Sequence, residues 1–195
     1  MIGRKVKLVV DGEAGDISPI DTGIPQGSPV APILFVTYLT GMFDEVESAV
    51  PDVQGLSFAD DIGWWVKAEN EEEVAAKLAE AEAVSLDWAK DNGVAFDQGI
   101  TECLLFQKKK GAPTAAIHVG TSDIPFNSEA TCWLGVWLDS QLTLKELHAV
   151  RLKEGNKAME QLCWLTGQMG LLPANCRKVM TACIQSVAMF GSEQW

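Results

Sequence analysis

A chain of 195 residues, 47% of them hydrophobic, is long enough to bury a core as one or two domains. With 15 Lys and Arg against 27 Asp and Glu, the formal net charge is −12, the wrong sign for a protein that grips phosphates on its own and an argument for weak independent binding to nucleic acid. No apolar stretch is long and clean enough to span a membrane. The five cysteines, Cys103, Cys132, Cys163, Cys176 and Cys183, are odd in number and lack paired ligand spacing. That argues against a disulfide scaffold and, with His118 and His148 as the only histidines, against structural zinc; a reducing nuclear or cytoplasmic setting fits.

Taken in chain order, Arg4 to Val10 reads as a strand with the character of an interior one and has no signal- or transit-peptide pattern. Gly23 to Pro32 is rich in Gly and Pro and opens the apolar run Ile33 to Leu39, so it reads as a tight loop feeding a buried helix, with Ser28 as cap and Pro29 in the first turn. Two short apolar runs, Gly55 to Phe58 and Ile62 to Val66, flank Asp60 and Asp61 and predict a hairpin with both carboxylates at its turn. Asn70 and Glu73 have the spacing of a capping box, after which Val74, Leu78, Ala81, Ser85 and Trp88 recur at helical spacing until Asn92-Gly93.

Beyond that helix, Val94 to Phe96, Cys103 to Phe106, Ala116 to Val119 and Trp133 to Asp139 read as strands. Thr143 with Glu146 predicts a second capping box, opening a helix that carries Leu147, Val150, Ala158, Leu162, Leu165 and Met169. Pro173 starts a last helix with Val179, Cys183, Val187 and Phe190 on one face. Trp64, Trp65 and Trp88 are expected in the core, and Trp164 in packing or against a nucleic-acid base. Basic residues cluster at Lys108 to Lys110 and again at Lys145, Arg151, Lys153 and Lys157; each cluster is a candidate to lie along a duplex backbone, with a solvated helix face as the alternative for the second.

Chemistry concentrates at two places. Adjacent ionised carboxylates repel, so Asp60-Asp61 either solvates a plain turn or shares a cation. Hard oxygen donors without neighbouring His or Cys favour Mg²⁺ or Mn²⁺. The glycines of the Gly23 to Ser28 loop let backbone approach a ligand, and the following helix start favours negative charge.

The order Gly23-Ile24-Pro25-Gln26-Gly27-Ser28-Pro29, Phe58-Ala59-Asp60-Asp61, Phe96-Asp97 through Thr101-Glu102 to Leu105-Phe106, and Trp133-Leu134-Gly135-Val136-Trp137-Leu138-Asp139 followed by His148 resembles the reverse transcriptases of non-LTR (LINE-type) retrotransposons, fungal elements in particular. The resemblance covers nearly the whole chain. It implies an α+β fold, a partial palm over 1–140 (an antiparallel sheet with packed helices) and a helical thumb from 141–195, without fingers. It implies further that Asp60 and Asp61 are catalytic and metal-binding, that Pro25, Gln26, Gly27, Ser28 and Phe58 contact nucleotide and template, and that Leu134, Gly135 and Val136 grip the primer. The implied partners are an RNA template, a DNA primer, a dNTP and Mg²⁺ or Mn²⁺. Group II intron and retron polymerases share the Asp-Asp hairpin, but the Trp-Leu-Gly-Val-x-Leu-Asp run followed by His suits the non-LTR class better.

Two departures bear on activity. The family's first aspartate sits on a strand upstream of the Gly-Ile-Pro-Gln-Gly loop, where this chain has Asp11, Asp16 and Asp21 among Gly and Pro; and Ile100 stands where the family commonly has Lys. The chain is therefore expected to be inactive alone. The alternative is a non-catalytic relic, or a module that binds protein or nucleic acid. Palm surface normally covered by fingers is expected to be exposed and to drive self-association.

Overall fold

The computed structural model describes residues 3–20, 23–24, 27–107, 113–119, 122–163 and 172–192. Trp164, Leu165, Met169 and Lys108 to Lys110, singled out above, lie outside them, as do Pro25 and Gln26. The chain divides into two compact units, 1–67 with 80–95, and 68–79 with 96–195.

The first unit opens with an antiparallel hairpin of β1 (Arg4–Val10) and β2 (Glu13–Ile20), whose register shifts between Lys7 and Val9. Asp11 and Gly12 turn it, both at positive φ. The expectation of an interior strand fails: Leu8, Val9, Val10 and Ile17 are all exposed, because among the described residues β1 pairs with β2 alone and neither face is covered. Helix α1 (Ala31–Ala49) follows. Leu39, Met42, Val46 and, just past its end, Val50 are buried at spacings of three and four, which is one face of an α-helix. Full burial of such side chains stabilises by about 1.5–3 kcal/mol each. Ile33, Val36 and Tyr38 of the same helix are exposed.

Strands β3 (Gln54–Phe58) and β4 (Asp61–Trp65) form a second hairpin. Helix α2 (Glu71–Asp91) begins where the sequence places it, with the Asn70 side chain accepting from the Glu73 N–H at 2.8 Å. The return bond of a capping box is replaced: the Glu73 carboxylate pairs instead with Lys77 at 3.0 Å, one turn along. The part of α2 in the first unit buries Ala81, Ser85, Trp88 and Ala89, and the Ser85 hydroxyl is satisfied by the Ala81 carbonyl at 2.7 Å. Trp88 meets Tyr38 of α1 edge-on, ring centroids 5.5 Å apart, and Tyr38 donates to the Asn92 carbonyl. Gly93, at φ 66, ends the helix, with Val94 N–H bonded to the Ala89 carbonyl at 2.8 Å.

The second unit is built from residues 96 onward with the start of α2. Val94 to Phe96 is not a strand, and Gln98 to Ile100 forms a 3₁₀ turn held by the Asp97 carboxylate accepting from the Gly99 N–H at 2.9 Å. β5 (Cys103–Leu104), β6 (Ala116–Val119) and β7 (Ser122–Asn127) form a sheet in the order β5-β7-β6, burying Ile117, Val119 and Phe126. β6 and β7 are antiparallel, but β5 runs parallel to β7. The single antiparallel palm sheet expected above is thus, among the described residues, four small sheets with one parallel pair. Short strands with Gly and Pro between them leave each hairpin to pair within itself.

β8 (Ala130–Trp133) and β9 (Val136–Asp139) make the last hairpin, followed by α3 (Lys145–Leu162). The closing helical run comprises α4 (Pro173–Val179), a π-helical stretch from Met180 to Gln185 and α5 (Ser186–Ala188). The wider turn rotates the apolar stripe. Cys183, expected on the inner face, is exposed, and Ile184 instead lines a cavity of about 210 Å³ with Val179, Met180, Met159 and Leu162. Gly155 of α3 is buried against α5, where an added Cβ would stand 3.0 Å from the Ala188 Cβ.

Candidate active site

The acidic hairpin is tighter than two carboxylates sharing a turn. Phe58 pairs directly with Asp61, so the loop is two residues, Ala59 and Asp60; Asp60 sits at the tip and Asp61 begins β4. Ala59 carries the reversal at φ 54, a left-handed conformation that disfavours any residue with a Cβ. Alternation along the strands decides what each face does. Gly55, Ser57, Ile62 and Trp64 share one face, where Trp64 packs against Phe43 of α1 with ring centroids 4.9 Å apart. Leu56, Phe58, Asp61 and Trp65 share the other, and it is open: Phe58 is 65% exposed and Trp65 49%, so Trp65 is not the core residue expected from its apolar neighbours. Asp60 and Asp61 are also exposed.

At the glycine loop, Gly27 has φ 84, and the Ser28 carbonyl accepts from the Ala31 N–H at 3.0 Å. The Ser28 hydroxyl reaches only the Val30 N–H, at 3.4 Å, and gives α1 no side-chain cap. The helix therefore starts later than the Ser28-Pro29 reading predicts. It is Pro32, not Pro29, that occupies the first turn, where a missing N–H costs nothing. Gly27, Ser28, Phe58, Asp60 and Asp61 all belong to the first unit, but among the described residues no hydrogen bond or ion pair joins the loop to the hairpin tip. Leu134, Gly135 and Val136 belong to the second.

The family resemblance implies three aspartates around two ions. Asp60 and Asp61 supply two adjacent carboxylates, and among the described residues no group of three or more His, Cys, Asp or Glu could hold a metal ion. The described residues do not fit a complete two-ion site.

In the second unit the Trp133–Val136 pair closes on Leu134 and Gly135, both at positive φ (49° and 79°), the backbone of a two-residue turn matched to strand twist. Arg151 of α3 donates to the Gly135 carbonyl. Asp139, at the end of β9, does what the Thr143-Glu146 pattern was expected to do. Its carboxylate accepts from the backbone N–H groups of Gln141 (3.0 Å), Thr143 (3.0 Å) and Leu144 (2.7 Å) and from the Thr143 hydroxyl (3.1 Å). Leu144 is the N-cap residue, at φ 56, and contributes no side-chain bond. Desolvation pushes the Asp139 carboxyl up, but these bonds from Thr143, Gln141 and Leu144 outweigh it and hold the group below the ordinary carboxylate value.

A carboxyl whose folded pKa lies below its unfolded one contributes stability above the unfolded value and loses it as pH falls through the folded one. Asp139→Ala should therefore cost about 0.5–2 kcal/mol at pH 7, the usual range for losing a cap. The gap should shrink as acid protonates the wild-type carboxyl. Urea titrations of both proteins at neutral and acid pH check this, and a gap that does not change with pH would assign the loss to packing.

Sequence reasoning missed the close approach at Gly55 and Asp139 as a cap, and it placed Arg151 along a duplex or a solvated helix face where the structure has it half-buried on the Gly135 carbonyl. A glycine inside a strand was a signal for the first, since it marks a close approach. The others had no local pattern.

Along the chain, a carboxylate-tipped hairpin with one open face follows a glycine loop and helix, and precedes a tight turn bonded to a later helix. The chain belongs to the reverse transcriptase (RNA-dependent DNA polymerase) family, which it matches over residues 2–138. It is similar to the RNA-directed DNA polymerase from mobile element jockey of Drosophila melanogaster, 24% identical over 181 residues that cover 89% of this chain and 19% of that protein. It is equally similar to the jockey polymerase of Drosophila funebris, 24% identical over 197 residues covering 98% of this chain and 21% of that one. The non-LTR assignment stands on these relatives; neither is fungal, so the narrower subtype gains no support. The chain spans about a fifth of the length of the curated relatives it matches. No solved structure matches it.

Proposed function

We propose that this chain carries the catalytic hairpin and the primer-holding turn of an RNA-directed DNA polymerase that copies an RNA template by extending a DNA primer with dNTPs. The observation that carries this reading is the open face of the β3–β4 hairpin, which presents Asp61 beside Phe58 with Asp60 at the tip. In this reading Asp60 and Asp61 are catalytic carboxylates, Phe58 and the loop residues Pro25, Gln26, Gly27 and Ser28 contact nucleotide and template, and Leu134, Gly135 and Val136 hold the primer end. Residues 1–140 act as palm and 141–195 as the start of a thumb. Reverse transcriptases generally use divalent metal ions, and Mg²⁺ or Mn²⁺ suits the carboxylate donors here. Such an element works in the nucleus or cytoplasm; among the described residues, no helix is long and apolar enough to cross a membrane.

Two carboxylates can still attract a cation weakly. Mn²⁺ is expected to bind the chain, and Asp60→Asn to weaken binding by removing one charge from the hairpin tip. Relaxation enhancement by Mn²⁺ reads this directly; equal affinity in the two proteins would make the pair a plain solvated turn.

The second reading, a relic or binding module without catalysis, is favoured by the incomplete carboxylate set. In either reading the bare β1–β2 hairpin and the Ile33 and Val36 face of α1 supply apolar surface for self-association. Sedimentation should show a mass that rises with protein concentration, and a monomer across the range would remove that part of the proposal.

A further inference from the structure

We infer that Arg151 is a positioning residue that fixes the Leu134–Gly135 turn and, through the turn, the primer; the second half of this rests on the primer-grip reading above. The turn needs external support, because Leu134 sits at φ 49, where a side chain with a Cβ is disfavoured. Arg151 supplies it from α3. One guanidinium nitrogen donates to the Gly135 carbonyl, and the guanidinium carbon lies 4.5 Å from the centroid of the Phe190 ring. Gly135 is favoured by its φ of 79°, and a Cβ there would also stand tightly, at 3.1 Å, against Phe190 Cε1 and in contact, at 3.4 Å, with Arg151 Nη2. Turn carbonyl, planar cation and aromatic ring thus form one stack of contacts joining β8, α3 and the segment after α5.

The arrangement carries a cost. The half-buried Arg151 has no ion-pair partner among the described residues, and its Nε is buried without an acceptor. A solvated lysine would leave no such donor unsatisfied, but it would lack both the planar fork and the stacking surface. What arginine provides here is a fixed angle between turn and helix.

The test compares Arg151→Met, Arg151→Lys and Gly135→Ala in the full 195-residue chain, reading amide exchange across 133–137 and affinity for a primer–template duplex at several salt concentrations. In the free protein, all three variants should speed exchange at the turn by at least ~10-fold, as loss of a charge-assisted bond implies, while amides in the middle of α3 keep their wild-type rates. Duplex affinity should fall with Arg151→Met, and the slope of log affinity against log salt should stay the same, because a residue acting through the turn removes no phosphate contact. A direct contact would lower the slope by about one. Wild-type exchange at the turn in Arg151→Met, equal acceleration throughout α3, or recovery of both readouts by Arg151→Lys would each overturn the inference. If the wild-type duplex complex gives no protection at 133–137, the primer-grip reading fails, whereas exchange in the free chain reports on the lock independently.

Discussion

Purified as it stands, the chain is expected to add no nucleotide to a primer annealed to poly(rA) or to a hairpin RNA at physiological Mg²⁺. Preorganised charge is usually the largest contribution to such catalysis, and losing even one donor from a charge-stabilising site typically costs about 10²- to 10³-fold in rate. Here the deficit is larger than one hydrogen bond. The family resemblance implies three carboxylates, and among the described residues no third acid, His or Cys joins Asp60 and Asp61 in a group that could hold a metal ion. Neither group is enclosed: both are exposed at a hairpin tip, where water screens whatever they attract. Any positioning that the proposed roles of the Gly27 loop and the 134–136 turn would supply cannot replace the missing charge, because ordering reactants does not stabilise the charge that develops as pyrophosphate leaves. A primer-extension assay with a sensitive end label checks this. Template-dependent incorporation, abolished by Asp60→Asn, would show that the two carboxylates suffice and would dispose of the relic reading.

Local signals made some of the architecture legible in the sequence. The β3–β4 hairpin follows from two apolar runs around a polar pair, and α2 from Asn70 at its start and Gly93 at its end, each decided within a few residues. Features set by competing local chemistry were harder to read. Ser28 and Pro29 have the composition of a helix start, yet the backbone delays α1 to Ala31, because Pro32 can serve the same first-turn role. β7 contains Pro125 and charged Asp123, which masked a strand that pairs on both sides. The π-helical stretch shifts the phase of the last helix and puts Ile184 where simple periodicity puts Cys183. Contacts between distant segments left no local trace. The Arg151 bond to Gly135 crosses 16 positions, and nothing in the spacing around Arg151 separates it from Lys153 or Lys157. The same limit applies to the candidate site: motif order could propose Asp60, Asp61 and the Leu134–Gly135 turn, but not the groups that hold them.

The second large effect is expected from Gly55→Ala, a change that sequence rules alone would rate as mild. Adding a methyl to a strand glycine normally helps, since it removes about 0.4–1 kcal/mol of chain entropy from the unfolded state. At Gly55, however, the new Cβ would stand 2.4 Å from two ring atoms of Phe43 and 2.4 Å from Trp64 Cζ3. No rotamer of alanine avoids that, so one or both rings must move. Phe43 is on α1 and Trp64 is the cross-strand partner of Gly55, so displacing either pries the helix from the hairpin that carries Asp61. Overpacking of this kind costs about 1–3 kcal/mol, and separating the aromatic pair adds about 0.5–1.5 kcal/mol, which together exceed the entropic gain. Exchange of the 54–65 amides should accelerate accordingly. Phe43→Leu in the same chain should recover part of the loss, because it vacates one of the two clashing positions. The double-mutant cycle should then show a coupling within the ~0.5–3 kcal/mol seen for residues in contact. Additive effects, or a Gly55→Ala hairpin as protected as wild type, would mean that Phe43 and Trp64 do not close over this strand and that something else docks the hairpin on α1.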